Sequence, residues 1–151
     1  MVAYSHRDYT IEAGADLVDW PRVHGWLTTS YWASGIAREE VERAGRNSAL
    51  VLSAFKAGQQ VAYLRVISDK TRFAYLCDLW VDKDHRQRGL ARAMVRWALE
   101  HPDFLTANWM LATADAHAVY EPLGFQPLAE PQRFMRRMST ELLRRNPAGT
   151  A

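Results

Sequence analysis

The segment that most constrains this chain is Leu79–Glu100, LWVDKDHRQRGLARAMVRWALE. An apolar strand runs into a short polar turn, and Arg86-x-x-Gly89-x-Ala91 then opens an amphipathic helix. Leu90, Met94 and Ala98 form one apolar row and Ala91, Val95 and Leu99 a second, with Arg88, Arg92, Arg96 and Glu100 opposite. The helix is expected to run from about Arg88 to His101, because Pro102 pushes the residue before it out of the α region. A helix start carries four unpaired N–H groups and the positive end of the dipole, so this turn is suited to an anion such as phosphate. Gly89 lets backbone approach an oxyanion without Cβ interference, and the small Ala91 does much the same. The dipole contributes at most ~2 kcal/mol, whereas micromolar binding requires roughly 8 kcal/mol. Three or four charge-assisted N–H bonds at ~1.5–3 kcal/mol each close that gap. A Walker A loop is excluded, since no GK[ST] follows the glycine, and a dinucleotide fingerprint would need more glycines after a first strand. The alternative from the residues alone is a solvated helix start with arginines for solubility.

Around this segment the pattern reads as a mixed α/β sheet. Residues 8–13 form a short strand, and the spacing of Val23, Trp26, Leu27 and Tyr31 predicts a helix over 19–30 begun near Pro21. Glu39, Glu40 and Glu42 open a second helix. Residues 48–55 and 59–69 flank Lys56-Ala57-Gly58, a loop of hairpin length. FAYLCDLWV (73–81) is a third strand, apolar except for Asp78 and expected to be buried on both faces. WMLAT (109–113) reads as a strand, Asp115 as the N-cap of a short helix over 116–123, and Gly124 as its C′ residue. Phe125 opens an extended run, RFMRRM (133–138) is expected to be a final strand, and the tail beyond Arg145 to fray. One domain accounts for all 151 residues, with a core over about 8–138.

Charge and composition narrow the function. The 19 cations, 16 Arg and 3 Lys, stand against 17 acids and never run more than two together, so no nucleic-acid footprint is present. A single cysteine, Cys77, excludes an internal disulfide and a multi-cysteine zinc site, and the five histidines show no metal-ligand spacing. With no long apolar run at the start or elsewhere, the chain is expected to be cytoplasmic and independent of membrane.

Arg86, Gln87, Arg88, Gly89, Leu90 and Ala91 resemble the acetyl-CoA loop [QR]-x-x-G-x-[GA] of the GNAT superfamily of N-acetyltransferases, preceded by a strand like LCDLWVD. About thirty residues on, ADAHAVYEPLGF is similar to that family's Tyr-x-x-x-Gly-Phe signature, with Tyr120, Gly124 and Phe125 in place. The resemblance covers about residues 8–138 and implies a GNAT fold: a mostly antiparallel twisted sheet of six to seven strands flanked by about four helices. It implies acetyl-CoA as cosubstrate and a small-molecule amine or peptide as acceptor, attacked directly in a ternary complex. Dimerisation is common in this fold. By position, main-chain groups of Leu79, Trp80 and Val81 would bind the pantetheine arm, and the 86–91 loop with Arg92 the phosphates. Thr113 stands where many members carry a cofactor-contacting Asn; its hydroxyl reaches less far. Tyr120 matches the usual general acid. The other class left open is a non-catalytic acyl-CoA-binding module that keeps the fold.

The acceptor side starts from Asp78, a carboxylate in an apolar strand that costs several kcal/mol unless paired. It either pairs with a cation such as Arg65 or faces the acceptor cleft, where the family often places an acid acting on the amine. Arg65 is its expected partner or a clamp for an acidic group on the substrate. Tyr31, Trp32, Trp26 and Trp80 are candidates to line an acceptor pocket, with Trp26 better suited to the core. His117 lies one turn before Tyr120 and is either a proton shuttle or a surface residue. Strand alternation places Cys77 and Asp78 on opposite faces, which makes Cys77 a buried, inert thiol and argues against an acyl-cysteine route.

Overall fold

The structure is a computed structural model and describes residues 4–145; the expected fraying of 146–151 lies outside the described residues. Six strands, β1 (Tyr4–His6), β2 (Tyr9–Ala13), β3 (Leu50–Lys56), β4 (Gln59–Ser68), β5 (Phe73–Val81) and β6 (Asn108–Met110), form one sheet in chain order. Every neighbouring pair is antiparallel except β5–β6, which is parallel. The helices are α1 (Trp20–Leu27), α2 (Arg38–Arg46), α3 (Leu90–Leu99), α4 (His117–Tyr120) and α5 (Thr140–Arg145). This is the mixed, mostly antiparallel sheet expected from the pattern, with one additional short strand, β1, at its edge.

The period-two alternation of β3 and β4 sorts their side chains between two helical layers. Leu50, Leu52 and Ala54 of β3 and Ala62, Leu64 and Val66 of β4 pack with Leu90, Met94, Val95 and Ala98 of α3. On the other face Val51 and Tyr63 pack with Trp20, Val23 and Leu27 of α1 and Val41 of α2. The β3–β4 turn is two residues, Ala57 and Gly58, both at positive φ, which matches the right-handed twist of the strands it joins. Asp19 caps α1, its carboxylate accepting from the Arg22 amide at 3.1 Å, and Pro21 sits in the first turn as expected.

Four expectations are corrected. β5 is buried on one face, through Ala74, Leu76 and Val81, while Tyr75, Cys77 and Trp80 are half-buried. The strand expected over 109–113 is Asn108–Met110, so it pairs with β5 only from Phe73↔Asn108 to Tyr75↔Met110. Asp115 does not cap α4, which has no side-chain cap; Thr113 Oγ1 accepts from the Ala116 amide at 3.0 Å in the turn just before it. Residues 133–138 form no strand: Pro131–Arg133 is a 3₁₀ turn, and Phe134 and Met135 are 52% and 98% exposed. With three residues in β6, the sheet offers little edge to template another strand, and Pro131 has no N–H to give. No strand follows Phe125 either, although Gly124 closes the preceding turn at φ 93° as expected.

Candidate active site

Because β6 stops at Met110 while β5 continues to Val81, the two strands part after Tyr75. The gap opens into a cavity of 1340 Å³, lined by the outer half of β5, the 85–92 turn, the 112–120 segment and the α1–α2 loop. Tyr31, Trp32, Arg65, Asp78, Leu79, Trp80, Val81, Arg86, Gln87, Gly89, Leu90, Ala91, Arg92, Thr113 and Tyr120 all line it. Fifteen positions from five stretches of sequence thus converge on one space.

Arg88 does not belong to that lining. His6 Nε2 on β1 donates to the Arg88 carbonyl at 2.9 Å, which ties the loop to the sheet edge. Gln87 (φ 60°) and Gly89 (φ 77°) are both left-handed, curling the chain so that α3 begins with no side-chain cap. Its first-turn N–H groups therefore open toward the cavity. Arg86 is fixed beside them: its Nε donates to the Val81 carbonyl at 2.9 Å and its guanidinium lies 5.1 Å from the Trp80 ring centre. Arg92 donates to the Ala118 carbonyl at 3.1 Å, joining α3 to α4.

At the other end of the cavity, Asp78 occupies a bulge. Tyr63 faces Trp80 and Arg65 faces Cys77, so β5 carries one residue more than β4 across this interval. Asp78 takes up the extra residue at φ 56°, a conformation Asp tolerates better than most. The bulge breaks the alternation, and Cys77 and Asp78 both line the cavity instead of facing opposite ways. Arg65 Nε donates to Asp78 Oδ2 at 2.6 Å, and Trp32 Nε1 donates to Oδ1 at 2.9 Å. Asp78 is therefore paired with Arg65 and at the same time lines the cavity. Burial works against the Arg65 charge and Asp78 works for it, with a net upward shift. Burial pushes the Cys77 thiol up to about 12, in keeping with an inert thiol.

Tyr120 is buried and packs edge-on against Phe125, and burial raises its phenol to about 12, with further upward contributions from Tyr31 and Asp115. Tyr31 crosses the cleft, its hydroxyl accepting from the Ala114 amide at 2.9 Å. Trp32 stacks obliquely on Trp80 at 6.1 Å. Trp26 packs on the α1–α2 core instead of the cavity, and His117 lines a separate, smaller pocket of 280 Å³. Sequence reasoning missed Tyr75, His85, Arg136 and Leu142 in the main lining. His85 lies next to Arg86 and Tyr75 two residues before Cys77; Arg136 comes from the stretch read as a strand, and Leu142 from a helix for which no expectation was made. Among the described residues, no group of three or more His, Cys, Asp or Glu is placed to hold a metal ion, and no helix is long and apolar enough to cross a membrane.

Residues 11–125 match the model of the acetyltransferase (GNAT) family. A Xanthomonas campestris protein assigned to the same family is 38% identical over 87% of this chain and 95% of its own, with a TM-score of 0.80. An acetyltransferase-like protein of Deinococcus radiodurans (22% identity, 91% and 94% coverage, TM-score 0.70) shares the fold. So does a Clostridium acetobutylicum protein solved with acetyl-CoA (15% identity, 88% and 97% coverage, TM-score 0.65). No curated protein matches the chain.

Proposed function

The chain belongs to the GNAT acetyltransferase family, and from that premise we propose that it moves an acetyl group from acetyl-CoA to a primary amine by direct attack in a ternary complex. One observation carries this reading: an uncapped helix start and an unpaired strand edge open into the same cavity as Tyr120 and Asp78. The donors fit the cosubstrate. Backbone N–H groups of Gly89, Leu90, Ala91 and Arg92 meet the pyrophosphate, with Arg86 and Gln87 beside it supplying positive charge and a side-chain donor. Beyond Tyr75 the β5 edge at Leu79, Trp80 and Val81 offers main-chain groups to the amide-bearing arm, and such groups pair when they can. The Val81 carbonyl is already shared with Arg86. Thr113 Oγ1 accepts from the amides of Asp115 and Ala116, which leaves its hydroxyl hydrogen for the ligand.

At the reacting end, Asp78 orients the amine. Each carboxylate oxygen accepts one fixed hydrogen bond and retains a lone pair for the acceptor. The rings of Tyr31, Trp32 and Trp80 border that position, where aromatic faces attract an ammonium group. As the amine attacks and the carbon–sulfur bond breaks, Tyr120 gives its proton to the departing thiolate. A thiol near ~8.5 is a stronger acid than this phenol, so the transfer must accompany bond cleavage and not precede it.

The test is release of free thiol from acetyl-CoA in the presence of primary amines. Wild type should release thiol only when an amine is present. Tyr120→Phe keeps the ring and should lower kcat by about 10²–10⁴-fold, with acetyl-CoA affinity changed less than about tenfold. Since the phenol holds its proton up to about 12, the wild-type rate should not fall through the ordinary tyrosine range. Turnover equal to wild type would assign the proton to another group; tight acetyl-CoA binding with no turnover on any amine would favour the non-catalytic module.

A further inference from the structure

The β1–β2 hairpin reaches the turn that opens α3 at two points. His6 and Tyr9 are the facing pair that closes the hairpin. His6 Nε2 donates to the Arg88 carbonyl at 2.9 Å. The Tyr9 hydroxyl lies 3.0 Å from His85 Nδ1, with the two rings edge to face at 5.7 Å. The hairpin is itself held: Asp8 in its turn pairs at 2.7 Å with Lys56 at the end of β3, and the Lys56 ammonium lies 5.4 Å from the centre of the Tyr9 ring. His6 and Tyr9 both precede residues 11–125, so this fastening is made from outside the stretch that matches the family.

The buried phenol dictates which nitrogen of His85 carries the hydrogen. Tyr9 is 1% exposed, and among the described residues His85 Nδ1 is the one hydrogen-bond partner of its hydroxyl. A buried hydroxyl hydrogen left without an acceptor is costly. The phenol therefore donates to Nδ1, which presents its lone pair, and the neutral imidazole carries its own hydrogen on Nε2. The two ring nitrogens face in widely divergent directions, so with Nδ1 turned to the core the Nε2–H is turned away from it. His85 is half-buried and lines the main cavity, one residue before Arg86. Among the described residues no group accepts from its Nε2. Its backbone is fixed as well, the His85 amide donating to the Asp82 carbonyl at 2.8 Å.

Resting on the acetyl-transfer reading above, we infer that His85 is a further phosphate-binding residue for acetyl-CoA, giving its Nε2–H to the pyrophosphate beside the α3 start, and that Tyr9 is the positioning residue that fixes the required tautomer. The chemistry matches the place. An Nε2–H donates and does not accept, and its neighbours in the cavity wall, the Arg86 guanidinium and the uncapped N–H groups of α3, are donors too. Donors gathered from an imidazole, a guanidinium and a helix start suit an anion with several oxygens. The tie to Tyr9 holds the ring before the ligand arrives, so little side-chain freedom is lost on binding.

Two substitutions separate the two nitrogens. His85→Asn keeps a polar atom near Nδ1 but has nothing at Nε2, whereas His85→Gln extends an amide N–H toward Nε2. In calorimetric titration His85→Asn should bind acetyl-CoA at least about tenfold more weakly than wild type, the scale of one charge-assisted bond. His85→Gln should recover part of that loss. Tyr9→Phe keeps the ring in the core and frees Nδ1, so its affinity should fall between wild type and His85→Asn. Long-range proton–nitrogen correlation spectra of the imidazole read the tautomer without any substitution, which decides the matter even where a variant fails to fold. Wild type should carry the hydrogen on Nε2, and that nitrogen's resonance should move on addition of acetyl-CoA and less with S-acetylpantetheine, which has no phosphate. A hydrogen on Nδ1, an Nε2 resonance unmoved by saturating acetyl-CoA, His85→Asn binding as tightly as wild type, or His85→Gln no better than His85→Asn would overturn the inference. Absence of acetyl-CoA binding by wild type, with the hydrogen found on Nε2, would instead overturn the acetyl-transfer reading and the phosphate role with it.

Discussion

Replacing Asp78 by Asn isolates what the buried pair contributes. The substitution keeps the shape and the acceptor for Trp32, and Asn adopts the left-handed backbone of the bulge as readily as Asp. What disappears is the charge opposite Arg65, whose side chain is 16% exposed against 14% for Asp78. Removing one partner of a fully buried pair costs about 3–5 kcal/mol. The residual exposure and the retained neutral acceptor reduce this, so about 2–3 kcal/mol is expected. For a chain of this length that is a fall in Tm of about 5–10 °C. Urea denaturation followed by tryptophan fluorescence reads the change directly. The double variant Arg65→Gln/Asp78→Asn, which removes both charges, should recover at least about 1 kcal/mol of the loss, because a neutral amide pair leaves no uncompensated ion. If Asp78→Asn stays within about 0.5 kcal/mol of wild type, or the two substitutions add, the pair does not carry the local structure assigned to it.

Two further expectations concern residues given no role in the chemistry. With the Cys77 thiol raised to about 12 by burial, alkylation at pH 8 should be roughly 10³-fold slower than for a free cysteine and become ordinary in denaturant. The unfolded chain releases that proton at lower pH than the fold does, so Cys77 makes stability decline as pH rises from about 8.5 toward 12, a slope that Cys77→Ala should reduce in denaturation series. Gly45→Ala on α2 would place a Cβ 2.3 Å from Trp20 Cη2 and 2.9 Å from the Tyr63 hydroxyl. The overpacking cost of about 1–3 kcal/mol outweighs the gain of up to about 1 kcal/mol in helix propensity, so thermal unfolding should shift downward; a more stable variant would contradict this packing.

Much of the site was legible because its parts are local. The strand–turn–helix at Leu79–Glu100 and the Tyr120–Phe125 helix end each carry their own signals, a glycine at positive φ and an apolar row, which survive into the structure at Gly89, Gly124 and the α3 face. The pairing of Arg65 with Asp78 was legible from cost alone, as an isolated acid in an apolar strand must find a partner. What escaped was non-local. The bulge at Asp78 depends on how β4 and β5 register, and it reversed the expected separation of Asp78 from Cys77. The early stop of β6 depends on the sheet around it and not on the apolar run WMLAT, which continues past Met110. RFMRRM has strand-like composition but no ladder to join, and of its residues Arg136 lines the cavity.

The central claim is that the α3 start binds the pyrophosphate of acetyl-CoA, and calorimetric titration of acetyl-CoA into wild type and Gly89→Val tests it most directly. Wild type should bind with a Kd of micromolar order, corresponding to roughly 8 kcal/mol. The valine adds a branched side chain at φ 77°, within about 3.4 Å of His6 Nε2, on the backbone that the phosphates must approach. With far-UV circular dichroism showing the fold retained, affinity for acetyl-CoA should fall at least about tenfold, or 1.4 kcal/mol. A folded Gly89→Val that binds acetyl-CoA as tightly as wild type would contradict the account.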